Sequence, residues 1–130
     1  MLQGAFSIRR NMISRNNQAR IERNQQKVDA GFMSKHYPEV KSIIISMMYR
    51  QKGIGNPISR IMNFSPGSYA FFRVDCLSSD CVDGGFDLTQ TINSMIRNQN
   101  KEEKGELGCI DSGTRPDHSG ITYEVAIQYT

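Results

Sequence analysis

The chain has no apolar run near the roughly 20 residues that span a bilayer; its 38% of apolar residues are broken throughout by polar ones. That excludes a membrane-spanning helix. Its start is also the wrong way round for a secretory signal, because Arg9 and Arg10 follow a weakly apolar patch instead of preceding an apolar one. The expectation is a cytoplasmic protein. Cysteine is scarce and odd in number, three in 130 residues, which does not make a disulfide framework. The chain has no Gly-x-Gly-x-x-Gly run, and the Gly84-Gly85 corner carries no lysine. With Asp83 and Asp87 on either side, that corner reads as a structural turn and not as a phosphate cradle. No sequence repeat is visible, and 130 residues with 8% aromatics support one domain around one modest core.

What is present is a small set of soft metal donors. Cys76 and Cys81 are separated by four residues; Cys109 follows after 27 and His118 after a further eight. These are all the cysteines and one of the two histidines. Three thiolates and an imidazole complete a tetrahedral shell for Zn²⁺, and a closed shell holds a fold together instead of performing chemistry. A structural metal would also help so small a core. Two other readings stand beside it. One is three separate buried thiols with a surface histidine; the other is a disulfide between Cys76 and Cys81 with Cys109 free.

Catalysis by such a metal is disfavoured by the donor set, since three thiolates make the ion a poor Lewis acid. Without His118, three cysteines and a water would resemble a nucleobase deaminase site, but the His/Cys-x-Glu element that belongs beside those ligands is missing. Asp75, Asp80, Asp83, Asp111 and Asp117 lie near the ligands in sequence and read as turn and cap formers. No catalytic residue is assigned.

Charge is uneven. Residues 1–35 hold seven basic side chains (Arg9, Arg10, Arg15, Arg20, Arg23, Lys27, Lys35) against Glu22 and Asp29, a net of +5. The other 95 residues hold nine against eleven, a net of −2. A basic leader on a slightly acidic body suits nucleic acid or a ribonucleoprotein, with Arg9, Arg10, Arg15, Arg20, Arg23 and Lys27 as candidate phosphate contacts. A solvated helix with a frayed start fits the same charges.

The hydrophobic pattern predicts an α+β fold. Residues 1–15 form a flexible basic leader, and 16–130 a single metal-stabilised domain. A helix over 16–31 carries a thin stripe of Ile21, Val28 and Phe32, expected to pack on the body, and stops at Gly31. Val40 to Gln51, centred on Ile43-Ile44-Ile45, reads as a strand, and Ile58 to Phe64 as its return across the 52–57 turn. Ser68 to Cys76 reads as a third strand. Asp87 caps a helix bearing Leu88, Ile92, Met95 and Ile96 on one face, with Gln90 completing a capping box. Glu106 to Ile110 is a fourth strand. Ile121 to Tyr129 is the fifth and the cleanest, with Ile121, Tyr123, Val125, Ile127 and Tyr129 facing one way. The predicted architecture is a small antiparallel meander of about five strands with one helix across it. Strands four and five are placed beside strand three, so that the four donors meet at one sheet end.

The chain resembles a family of small, uncharacterised bacterial proteins. The matching residues are Pro38-Glu39-Val40, Ser65-Pro66-Gly67-Ser68-Tyr69-Ala70, the ending Ile121 to Tyr129, and above all Cys76-x4-Cys81-x2-Gly84-Gly85-Phe86-Asp87-Leu88. The resemblance spans roughly residues 17–130 and implies a zinc site. It implies no activity, and it does not extend to the loop carrying His118. Two functions follow from the sequence: a zinc-stabilised module binding nucleic acid through its basic segment, or a subunit binding another protein through the amphipathic helix or a sheet edge.

Overall fold

The computed structural model describes residues 17–51, 58–77, 81, 84–110 and 119–130. The leader at 1–15, the turn at 52–57 and the loop at 111–118 lie outside the described residues.

Helix α1 covers 17–30 and ends at Gly31, whose φ of 75° is the left-handed conformation that glycine adopts without strain. One further helical turn, α2 (Met33–His36), buries Met33 and leads into β1 (Val40–Gln51). Then follow β2 (Ile58–Phe64), β3 (Arg73–Asp75), β4 (Gly85–Asp87), α3 (Thr89–Arg97), β5 (Glu102–Gly108) and β6 (Ser119–Tyr129). The class is α+β: a four-stranded antiparallel sheet in the order β2-β1-β6-β5, and a separate two-stranded ribbon of β3 and β4.

That order corrects the predicted meander. The last strand returns to the centre and pairs with the first along almost its whole length. The cause is visible in the register, where Ile43 faces Ile127, Ile45 faces Val125, Met47 faces Tyr123 and Tyr49 faces Ile121. All eight side chains are buried. The two longest strands carry the two best apolar faces, and pairing them removes the most apolar surface from water. The charged strand β5 (EEKGELG) is left at an edge. It begins at Glu102, earlier than Glu106, because an edge strand with a polar face shows little apolar alternation to read.

The third predicted strand also shrinks. Of Ser68 to Cys76 only Arg73–Asp75 is strand, paired with the equally short β4 through Val74↔Phe86. Upstream, Tyr69 is drawn instead into a stacked contact with Phe32 at 4.9 Å, and the amide of Ala70 donates to the carbonyl of Gly31. The stripe expected to pack on the body does not: Ile21 and Val28 are 61% and 53% exposed, and Phe32 is 48% exposed beside Tyr69. The helix is held to the body by its end at Gly31 and by an ion pair from Arg23 to Asp75 at 2.9 Å.

Helix α3 contributes Ile92, Met95 and Ile96 to the one core cluster that also takes in both sheets. Its N-cap is Leu88 and not Asp87, which corrects the predicted capping box with Gln90. The helix starts at Thr89, one residue later than that box requires, and Asp87 bonds its first turn from outside, its Oδ1 accepting from the amide of Thr89 at 2.9 Å. Tyr129 clamps the far end, its hydroxyl donating to the carbonyl of Asn100 at 2.7 Å.

Gly105 shows how closely edge and centre fit. The Tyr123 phenol lies across it, and a Cβ at this position would run into the ring. Gly108, three residues on, has open space around it. Gly105→Ala should therefore cost about 1–3 kcal/mol, because Tyr123 is buried and cannot step aside freely. Gly108→Ala should stay within about 0.5 kcal/mol of the wild type. Paired urea melts decide this; equal midpoints for the two variants would disprove the account.

Candidate metal centre

Each cysteine arrives from a different part of the fold. Cys76 follows β3 directly, Cys109 follows β5 directly, and Cys81 lies in the connection between β3 and β4. The backbone brings the strand ends together before the side chains are considered. The amide of Cys76 donates to Gly84 at 3.4 Å, Ile110 to Gly85 at 2.9 Å, and Cys109 to Ser119 at 3.3 Å. Gly85 permits the close approach, since a Cβ there would sit 2.5 Å from the Val74 carbonyl oxygen. These bonds place the end of the small ribbon against the end of the β5–β6 hairpin.

The three sulfur atoms all lie within 4.8 Å of one another, and Cys81 and Cys109 are 3.6 Å apart. All three are free thiols and all are buried, at 9%, 6% and 3% exposure in chain order. In a tetrahedral site with metal–sulfur bonds of about 2.3 Å, two sulfurs stand about 3.8 Å apart. The cluster has the spacing and the donor chemistry of a metal site. Ser119 adds a hydroxyl 3.0 Å from Cys76 Sγ. A donor beside a metal-bound thiolate orients and stabilises it.

The electrostatics point the same way. Burial is the main cause that pushes the Cys81 thiol up to about 12; hydrogen bonds to Cys109 and Cys76 add to it. A divalent cation reverses that balance and makes thiolate the stable form.

Cys76, Cys81 and Cys109 thus converge as the spacing suggested, although the hairpin that carries Cys109 stands beside β1 and not beside the third strand. His118 lies outside the described residues, as do Arg9, Arg10 and Arg15. Of the other basic candidates, Arg20 and Lys27 are exposed on α1, while Arg23 is largely covered and engaged with Asp75. Ser119 escaped the sequence reading because a serine starting a strand carries no signal of its own; its position immediately after His118 was the available clue. A hollow of about 640 Å³ lies elsewhere, on the outer sheet face between Met48, Ile61, Lys104 and Glu124. It is open and holds none of the clustered thiols.

The raised Cys81 thiol sets a pH dependence for chelator-treated protein. In the unfolded chain this thiol ionises near its ordinary 9.0; in the folded one it does so only at about 12. The unfolded state therefore loses its proton first, so stability is intact below about pH 9 and falls between there and about 12. Denaturant melts of metal-free protein should show that fall. Cys81→Ala should flatten its early part, up to about pH 9.5, where most tyrosine hydroxyls still hold their protons. A fall of the same size in the variant would refute the assignment.

No protein-family model, no curated protein and no solved structure matches this chain.

Proposed function

We propose that this chain is a small binding module pinned by one structural Zn²⁺ held by Cys76, Cys81, Cys109 and His118. The convergence of three buried sulfurs within 4.8 Å carries the reading. Thiolate donors favour zinc among the abundant divalent ions. His118 is proposed as the fourth ligand because it directly precedes Ser119, whose hydroxyl touches Cys76. A shell of three thiolates and an imidazole leaves no open position, which fits a structural role and disfavours an enzyme. Free thiols of this kind belong in a reducing compartment, and the cytoplasm is the proposed location.

Metal analysis of protein purified without added zinc should return close to one equivalent per chain. Less than about a tenth of an equivalent, with all thiols free, would overturn the site, since structural zinc binds with roughly 10–16 kcal/mol. Cys76→Ser and Cys109→Ser should both lose the metal and unfold or aggregate. His118→Ala should be milder, because water can take the fourth position.

The partner we propose is nucleic acid or a ribonucleoprotein, met by Arg9, Arg10 and Arg15 together with Arg20 and Lys27, the last two exposed on α1. Arg23 contributes less, being tied to Asp75. Deleting residues 1–16 removes three arginines and no acidic residue. Affinity for RNA or DNA should then fall, and the dependence of log affinity on log salt should flatten by up to about 0.9 per lost phosphate contact. The truncated protein should keep its metal and melting point. Equal binding by both forms, or none by either at about 50 mM salt, would remove this reading. A protein partner on α1 would then lead, because Ile21 and Val28 leave an apolar stripe exposed there.

A further inference from the structure

The two edges of the main sheet are built differently. Strand β5 carries Glu102, Glu103, Lys104 and Glu106 among its seven residues, the dense charge by which sheet edges ward off a further strand. Strand β2, at the other edge, reads ISRIMNF and carries only Arg60. It is also open on both faces for most of its length, with Ile58 44% and Ile61 67% exposed, the latter the most exposed large apolar residue described. Nothing among the described residues pairs with its outer side.

We infer that strand β2 pairs edge to edge with β2 of a second copy of this chain, antiparallel and centred on Ile61, to give a continuous eight-stranded sheet. The occupant follows from the sequence of the strand itself. An antiparallel pairing about Ile61 sets Ile58 opposite Phe64, Ser59 opposite Asn63, Arg60 opposite Met62, and Ile61 opposite its own copy. Apolar Ile58 meets Phe64, Ile61 meets Ile61 and polar Ser59 meets Asn63; Arg60 stands opposite Met62, so the strand's only charge does not face itself and no like charges are directly opposed. The faces agree as well. Ile61 shares the outer face with Ser46, its partner on β1, and a two-fold axis through Ile61 perpendicular to the sheet keeps both outer faces on one side. Pairing β2 instead with the charged β5 edge would bring Ile58, Ile61 and Met62 against glutamates and lysine. That arrangement is heterologous and builds an open chain, not a closed dimer.

Size sets the strength. Seven residues per copy are well short of the roughly 20–30 on each side of a standard stable interface. The dimer is therefore concentration-dependent. It does not depend on the metal, since β2 carries no ligand.

The test uses the full chain in sedimentation equilibrium over a range of about 5 to 500 µM, a window that spans weak assembly. The wild type should move from one chain towards two. Ile61→Lys and Ile61→Glu should each remain at one chain, because each sets like charges face to face at the axis. An equimolar mixture of the two variants should return towards two chains, since lysine then faces glutamate. Both substitutions are at an exposed position and should leave the melting curve unchanged. As a check that needs no variant, amide exchange of the wild type should slow at 58–64 and not at 102–108 as concentration rises. A wild type that stays single, a variant that assembles as the wild type does, a mixture that stays single, growth beyond two chains, or protection at 102–108 would each overturn the proposal.

Discussion

The two-stranded ribbon has three residues in each strand, too few to stand alone, and its end is joined to the main sheet where Cys76, Cys81 and Cys109 meet. Sulfur is buried there from the ribbon, from the connection within it, and from the end of β5. Around these thiols the backbone is already committed, with Gly84, Gly85 and Ser119 accepting the amides of Cys76, Ile110 and Cys109. The ribbon in turn orients α3, whose first turn follows β4 after a single residue and whose first amide, that of Thr89, donates to Asp87, the last residue of β4. The placement of the ribbon, the entry angle of the helix and the closure of the core over the sheet all depend on that junction.

Core packing supplies the rest. Phe86 is fully buried between the layers, in edge contact with Tyr49 at 6.0 Å, and Phe72 makes a similar contact with Phe64 at 5.0 Å. Each of these pairs links a residue of the upper layer to a strand of the main sheet. Helix α1 takes little part. Its apolar residues face solvent, and an ion pair with one partner 65% exposed adds little by itself. The molecule thus has a tight centre in β1, β6, α3 and the ribbon, with a lightly attached helix outside it.

Much of this was legible in the chain. Three successive isoleucines in β1, the strict alternation of β6 and the i, i+4, i+7, i+8 stripe of α3 each report a burial pattern set by local periodicity. Strands β1 and β2 begin and end where that reading put them. The cysteines were legible as a set because three soft donors in so short a chain have few other uses. Their spacing carried no information about neighbours such as Ser119. The edge strand β5 was half missed, because Glu102 to Gly105 alternate exposed and part-buried polar residues and glycine. The stripe of α1 misled for the opposite reason: periodicity gives a face, but not a surface for that face to meet.

Local chemistry in the sequence determined where β1, β2, β6 and α3 lie, that Gly31 ends α1, and that three thiols are available as soft donors. Each depends on a residue and its near neighbours alone. Strand order belonged to the tertiary structure. Several pairings satisfy the same alternation, and the choice goes to the one that buries the most apolar surface at once, which sets β6 beside β1 and sends β5 and β2 to the edges. The meeting of Cys76, Cys81 and Cys109 was decided at the same level. A thiol at a strand end acquires a neighbour only when another strand, far away in sequence, ends at the same point in space.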